Sequence, residues 1–145
     1  MRPSSTATPT VTLGAVLCAV LWLGASVAAQ YQGWLIPPGG KDETSPLTRS
    51  PQVLRQGADL FAAHCARCHG PEGKGNGPDA DYAADLTDEY RFALNTDGVL
   101  FYKVWNGHAV QLRTQIDDMP PFKDRLTREQ VWAVVEHLKT FRAPR

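Results

Sequence analysis

Apolar residues recur at helical spacing in two long stretches of the chain, and nowhere do they alternate with convincing strand period. In the first stretch, Val53, Leu54, Gly57, Leu60, Phe61 and Cys65 fall on one side of a helix. Ser50 is placed to cap it, and Pro51 suits the first helical position. Gly57 stands mid-helix, where glycine costs ~1 kcal/mol relative to alanine; a close crossing by another helix would explain its presence. The helix is expected to end near Gly70-Pro71. In the last stretch, Val131, Val134, Val135, Leu138 and Phe141 form an apolar stripe with Trp132 beside it. Thr127 and Gln130 make a capping box, and Leu126 can staple to Val131.

A further helix is predicted from Thr96 or Asp97 to Asn106, closed by Gly107, with Val99, Leu100, Tyr102, Val104 and Trp105 as its apolar positions. A short helix is expected from Thr87. Residues 71–81 and 107–125 read as loops. The expectation is therefore an all-α domain over residues 50–145, three to four helices joined by long loops. Such a domain buries a modest fraction of its surface, and loops of that length need something to organise them. A group other than side chains is expected at the centre.

The N-terminal segment is of another kind. Arg2 is the only charge before residue 41, and Val11 to Ala29 is almost wholly apolar. Val27 and Ala29 fit the small-residue pattern before a cleavage point, with Gln30 as the mature start. Residues 1–29 are expected to be a secretory signal, or a retained membrane anchor, since the run is about the minimum length for a span. Either would place the rest of the chain outside the cytoplasm. Residues 30–49, with Pro37-Pro38-Gly39-Gly40 and Pro46, read as a linker or an extended arm lying on the domain. Trp34, Leu35 and Ile36 suggest that part of it packs down.

Charge changes the picture little. Fifteen bases balance fifteen acids, without the basic excess of a nucleic-acid binder. The distribution is uneven: Asp79 to Glu89 holds five acids and no base, whereas the chain from Lys123 holds six bases and three acids. This is either two solvated faces or a dipole that orients the protein on a charged partner.

The candidate chemistry lies in "HCARCHG", residues 64–70. Cys65 and Cys68 could form a redox-active dithiol, but such motifs sit on a βαβ scaffold and no strand is predicted. A structural zinc site needs four ligands, and His108 and His137 are distant and unpaired. Cys-x-x-Cys-His is also the attachment signature of c-type haem. At a helix end, positions i and i+3 are surface neighbours, so Cys65 and Cys68 could reach the two vinyl groups along one porphyrin edge. His69 would follow as an iron ligand, and Gly70 leaves room for the chain to turn away. Met119, in "DDMPPF", is the candidate sixth ligand: Pro120 and Pro121 stiffen its loop, and a thioether favours the reduced metal. Its alternative role is core filler, and His108 is the rival sixth ligand. His64 and His137 are expected at the surface, and Trp105 and Trp132 in the core.

The segment from about Ser50 to Arg142 resembles class I cytochromes c, specifically small exported bacterial monohaem ones. "GADLFAAHCARCHG", "DLT", "TDGVLFYKVWNG", "MPPF" and "LTREQVWAVVEHLKTF" carry the resemblance, in that order. It implies an all-α cytochrome c fold with first and last helices crossing, Gly57, Phe61 and Trp132 supplying the crossing contacts. It also implies one covalent haem c, Cys65 and Cys68 as thioether anchors, His69 as proximal ligand and Met119 as distal ligand. "HAVQLRTQIDD", before Met119, is longer than in the shortest relatives, and residues 1–49 fall outside the resemblance.

The function expected from these residues is one-electron transfer rather than catalysis, with redox proteins docking transiently at an exposed haem edge and the protein exported to a bacterial periplasm, in solution or tethered to the membrane. Two alternatives stand beside it: a haem subunit of a larger membrane redox complex, and a haem peroxidase or gas-binding protein, in which Arg113 and His108 would approach the distal side.

Overall fold

A computed structural model describes residues 33–79, 83–108 and 119–141. The expected signal or anchor at 1–29 lies outside the described residues, as do Arg113 and most of the long segment before Met119. Among the described residues the chain is helical: α1 (Pro51–His64), α2 (Ala66–His69), α3 (Glu89–Ala93), α4 (Asp97–Asn106) and α5 (Arg128–Leu138), with 3₁₀ turns at Gly40–Asp42 and Lys139–Phe141. The only bridge of strand type among them joins Trp34 to His108. No described helix is long and apolar enough to cross a membrane.

The predicted helix starts are realised through local side-chain bonds. Ser50 Oγ accepts from the Val53 amide, and Thr96 Oγ1 from the Val99 amide. Thr127 and Gln130 form both bonds of the capping box, so two otherwise orphaned donors are satisfied reciprocally. Asp88 Oδ1 accepts from the amides of Tyr90 and Arg91, which places the short helix slightly later than Thr87. The first helix also departs from a single run: it breaks at Cys65, and the four-residue α2 follows before Gly70.

The crossing of α1 and α5 organises the core, and Gly57 explains its closeness. A Cβ at Gly57 would lie 2.1 Å from the Ala133 carbonyl oxygen and 2.8 Å from the Ala133 carbonyl carbon. Phe61, one turn later and 2% exposed, meets the rings of His137 at 5.4 Å and Phe141 at 5.2 Å. Trp132, expected at this crossing, lies in the same buried cluster as Phe61, but the backbone that approaches Gly57 is that of Ala133. One residue along a helix is a rotation of about 100°, which turns Trp132 away from the Ala133 contact and onto α4, where it stacks on Phe101 at 4.4 Å. His137 corrects an expectation. It is half-buried between Phe61 and Phe141, and burial holds its imidazole pKa below the ordinary value.

Polar ties close the ends of these helices. Glu136, 3% exposed, accepts from Lys139 Nζ at 2.7 Å, and the same ammonium reaches Asp97 in the first turn of α4 at 2.7 Å. Burial works against the Lys139 ammonium, but the hydrogen bonds to Asp97 and Glu136 outweigh it and raise its pKa. Arg49 approaches the other Glu136 oxygen at 3.9 Å. A buried carboxylate is stable only with such partners.

Candidate haem-binding site

Cys65 ends α1 and Cys68 and His69 lie on α2, so the motif is built on the break between the two helices. The amides of Cys68 and His69 both donate to the Cys65 carbonyl, at 3.1 and 2.9 Å, giving the one-turn spacing anticipated for the two thiols. Both cysteines are free. Cys65 belongs to the buried core. Burial, with a smaller contribution from Cys68, pushes its thiol up to about 12. A redox dithiol works through a depressed thiol pKa, so this environment opposes that reading.

A helix leaves its last carbonyls unsatisfied, and here the following loop supplies donors to them. The Asp79 amide bonds the Arg67 carbonyl at 2.9 Å, Gly77 bonds Cys68 at 3.0 Å, and Gly75 bonds His69 at 2.8 Å. Two glycines make this close return possible. Gly70 turns at φ 76°, where its missing Cβ leaves room for Asn76 Oδ1, and a Cβ at Gly77 would lie 2.3 Å from the Arg67 carbonyl oxygen. The loop is therefore fastened to α2 and then delivers Ala84 to the imidazole.

His69 Nδ1 lies 3.0 Å from the Ala84 carbonyl oxygen. A carbonyl only accepts, so Nδ1 carries the proton and donates. In the neutral ring this leaves the lone pair on Nε2, the arrangement that orients and strengthens an imidazole ligand. This contact was absent from the sequence expectations; the spacing of 15 residues through a loop carries no periodic signal.

Met119 is brought up by a different set of contacts. The Phe122 amide bonds the Val104 carbonyl and the Lys123 amide the Trp105 carbonyl, both at 3.2 Å, which satisfies the C-terminal end of α4. The Met119 carbonyl accepts from the His108 amide at 2.9 Å. A Cβ at Gly107 would fall 2.5 Å from the Pro121 nitrogen and 2.6 Å from the Met119 carbonyl oxygen, so this glycine permits the close approach. Met119 is partly buried and packs against the same core that contains Cys65, together with Leu86 and Trp105. His108, the rival, has its ring 4.7 Å from that of Trp34 on the arm. His64 is exposed, Trp132 is buried and Trp105 is partly buried.

The donor set fits a covalently attached haem: two free thiols one turn apart, an imidazole with Nε2 open to a metal, and a soft thioether against the same core.

The helical fold and this site define a small class I c-type cytochrome. The chain belongs to the family described as cytochrome c oxidase, cbb3-type, subunit III, which matches residues 52–138. It is 31% identical over 85 residues to cytochrome c6 from Parathermosynechococcus lividus, covering 59% of this chain and 86% of that protein. Among solved structures it is similar to the KustC0563 c-type cytochrome, with 26% identity, 60% of this chain and 98% of that one covered, and a TM-score of 0.48. The Kuenenia stuttgartiensis reducing HAO-like protein complex Kustc0457/Kustc0458 shares the fold, with 17% identity, 68% of this chain and 47% of that chain covered, and a TM-score of 0.50. The chain is a haem-based electron-transfer protein.

Proposed function

We propose that this chain carries one electron on a single haem c, held by thioethers to Cys65 and Cys68, with His69 and Met119 as axial ligands. Bound there, the haem supplies a one-electron couple whose potential is raised by His/Met ligation. The observation that carries the reading is the His69–Ala84 hydrogen bond: it commits Nδ1 to a backbone carbonyl and leaves Nε2 for iron. The remaining work belongs to the protein. The segment from Gly70 to Asp79, bonded to the end of α2, and the Ala84 carbonyl fix the imidazole plane, and the Pro120-Pro121 segment, docked on the end of α4, holds the thioether. With both axial positions filled, substrates do not reach the metal, so the function is transfer rather than turnover.

The protein is exported, residues 1–29 serving as signal or anchor, 30–49 as an arm and 50–145 as the haem domain. It meets redox proteins in the periplasm through brief, small interfaces, at rates that fall with ionic strength. A second reading is favoured by the family itself, which is described as an oxidase subunit: the domain then passes electrons within a membrane complex, with the N-terminal segment as its anchor.

Met119→Ala tests the axial assignment. The variant is expected to keep its covalent haem, to become high-spin when oxidised, to bind carbon monoxide rapidly when reduced and to lose potential. Haem staining on a denaturing gel checks the first, and the oxidised spectrum, rapid mixing with carbon monoxide and an optical redox titration check the other three. A variant that stays six-coordinate and closed to carbon monoxide would remove Met119 from the site and return His108 as candidate.

A further inference from the structure

The arm lies outside the resemblance that identifies the haem domain, yet it runs the whole length of α4 and ends at the segment carrying Met119. Near the start of α4, Thr96 Oγ1 donates to the Lys41 carbonyl, and Gly40 packs so tightly that a Cβ would meet Tyr102 at 2.7 Å. Mid-helix, the Tyr102 hydroxyl donates to Glu43 Oε1, whose other oxygen accepts from Arg128 at 3.1 Å. At the far end, Asn106 Nδ2 donates to the Leu35 carbonyl at 2.7 Å, and Lys103 Nζ stands 4.7 Å over the Trp34 ring.

Beyond that end, three chain segments lie side by side. Trp34 pairs with His108 as an antiparallel bridge, ring against ring at 4.7 Å, and the His108 amide donates to the Met119 carbonyl at 2.9 Å. His108 is therefore the middle position, with the arm on one edge and the Met119 backbone on the other. Gly107, at φ 64° and with no room for a side chain against Met119, Pro120 and Pro121, leaves this junction little freedom to shift. Whatever fixes His108 also fixes the backbone from which the thioether projects.

We propose that the arm is a strap for the distal ligand: Trp34, acting through His108, is a positioning residue that sets where the Met119 sulfur sits. The proposal rests on the reading of Met119 as the sixth ligand. It gives His108 a role different from ligation, as the element through which the arm reaches the loop. It also makes an N-terminal segment, distant in sequence from the haem motif, a determinant of ligand exchange.

The test uses the full-length haem-loaded protein, with Trp34→Ala, Trp34→Phe and Asn106→Ala compared with the parent. Two readouts report on the sulfur rather than on overall stability: the weak near-infrared sulfur-to-iron charge-transfer band of the oxidised protein, and the rate at which added imidazole displaces the sixth ligand. Trp34→Ala is expected to weaken the band and to speed displacement up to about tenfold, corresponding to ~1.4 kcal/mol of contact. Trp34→Phe, which keeps a ring against His108, is expected to restore most of both. Asn106→Ala, which removes the bond that holds Leu35, the neighbour of Trp34, loosens the end of the arm while keeping the Trp34 ring, and gives a smaller acceleration in the same direction. It keeps the proposal testable should Trp34→Ala fail to fold. If Trp34→Ala melts earlier while band and displacement rate match the parent, the arm is merely structural and the proposal fails. If the parent itself lacks the band, the Met119 assignment fails and the strap with it; a band present in the parent and unchanged in the variants sinks the strap alone.

Discussion

With Cys65 and Cys68 both replaced by alanine, protein made in a host that matures c-type cytochromes is expected to carry no haem through a denaturing gel. The two thiols are spaced by one helical turn across the α1–α2 break and are not joined to each other. Each is expected to form one thioether, so each single replacement should leave one link and a stainable band, weaker and spectrally shifted. In the double variant His69 and Met119 remain, and haem binding becomes a reversible equilibrium. Colour would then follow mass action and come away on acidified-solvent extraction. Haem staining of the four proteins before and after extraction checks this. Colour that resists extraction in the double variant would place the attachment elsewhere.

Gly57→Val is expected to cost about 3 kcal/mol or more of stability. The new Cβ would stand 2.1 Å from the Ala133 carbonyl oxygen and 2.8 Å from the Ala133 carbonyl carbon and from His137 Cβ. Two of these are helix backbone, so the clash is not relieved by turning a flexible side chain; α1 and α5 must move apart. Overpacking of well-packed sites typically costs ~1–3 kcal/mol and occasionally more. Opposing it is the helical gain on replacing glycine, ~1 kcal/mol for alanine and less for β-branched valine. For a domain of this size each 1 kcal/mol moves the thermal midpoint by roughly 4–8 °C, so a fall of about 12–24 °C is expected. Gly57→Ala should fall less, since it adds one methyl and gains the full helical preference. Thermal melts of the haem-loaded proteins decide it: a midpoint within a few degrees of the parent would mean that the helices do not cross this closely.

These two effects concern what was most legible in the sequence. The starts of α1, α4 and α5 follow from side-chain bonds reaching three residues forward from Ser50, Thr96 and Thr127, and such bonds need no knowledge of the fold. Gly57 was legible as an exception, a residue too unfavourable in mid-helix to be there without a close neighbour. The one-turn spacing of Cys65 and Cys68, with His69 following, was legible because it is local to the end of one helix.

The remainder depends on contacts that sequence spacing does not encode. The Ala84 carbonyl reaches His69 only because a loop folds back through Gly70, Gly75 and Gly77. The arm was expected either as a tether or as a packed segment, and its partners Tyr102, Asn106 and Arg128 lie 59, 71 and 85 residues away in the chain. Arg128 illustrates the same limit. Its guanidinium lies 4.5 Å over the Phe101 ring, a cation–π contact invisible from the stripe pattern of α5. His137 was misplaced because a helical wheel assigns only an angle. The turn at Lys139–Phe141 carries Phe141 over the imidazole and covers a position that the wheel leaves open. Trp132 is buried as its pattern implies, and its stack on Phe101 of α4 is a contact that the stripe of α5 does not reveal.

Peptide mass spectrometry of the mature, coloured protein tests the central claim most directly, because it reads the bond rather than the colour. After proteolysis, the peptide spanning Cys65 to His69 is expected to carry the mass of one haem, with both thiols consumed and no second adduct on the chain. Unmodified Cys65 and Cys68 in protein from a host competent in haem attachment would contradict the account.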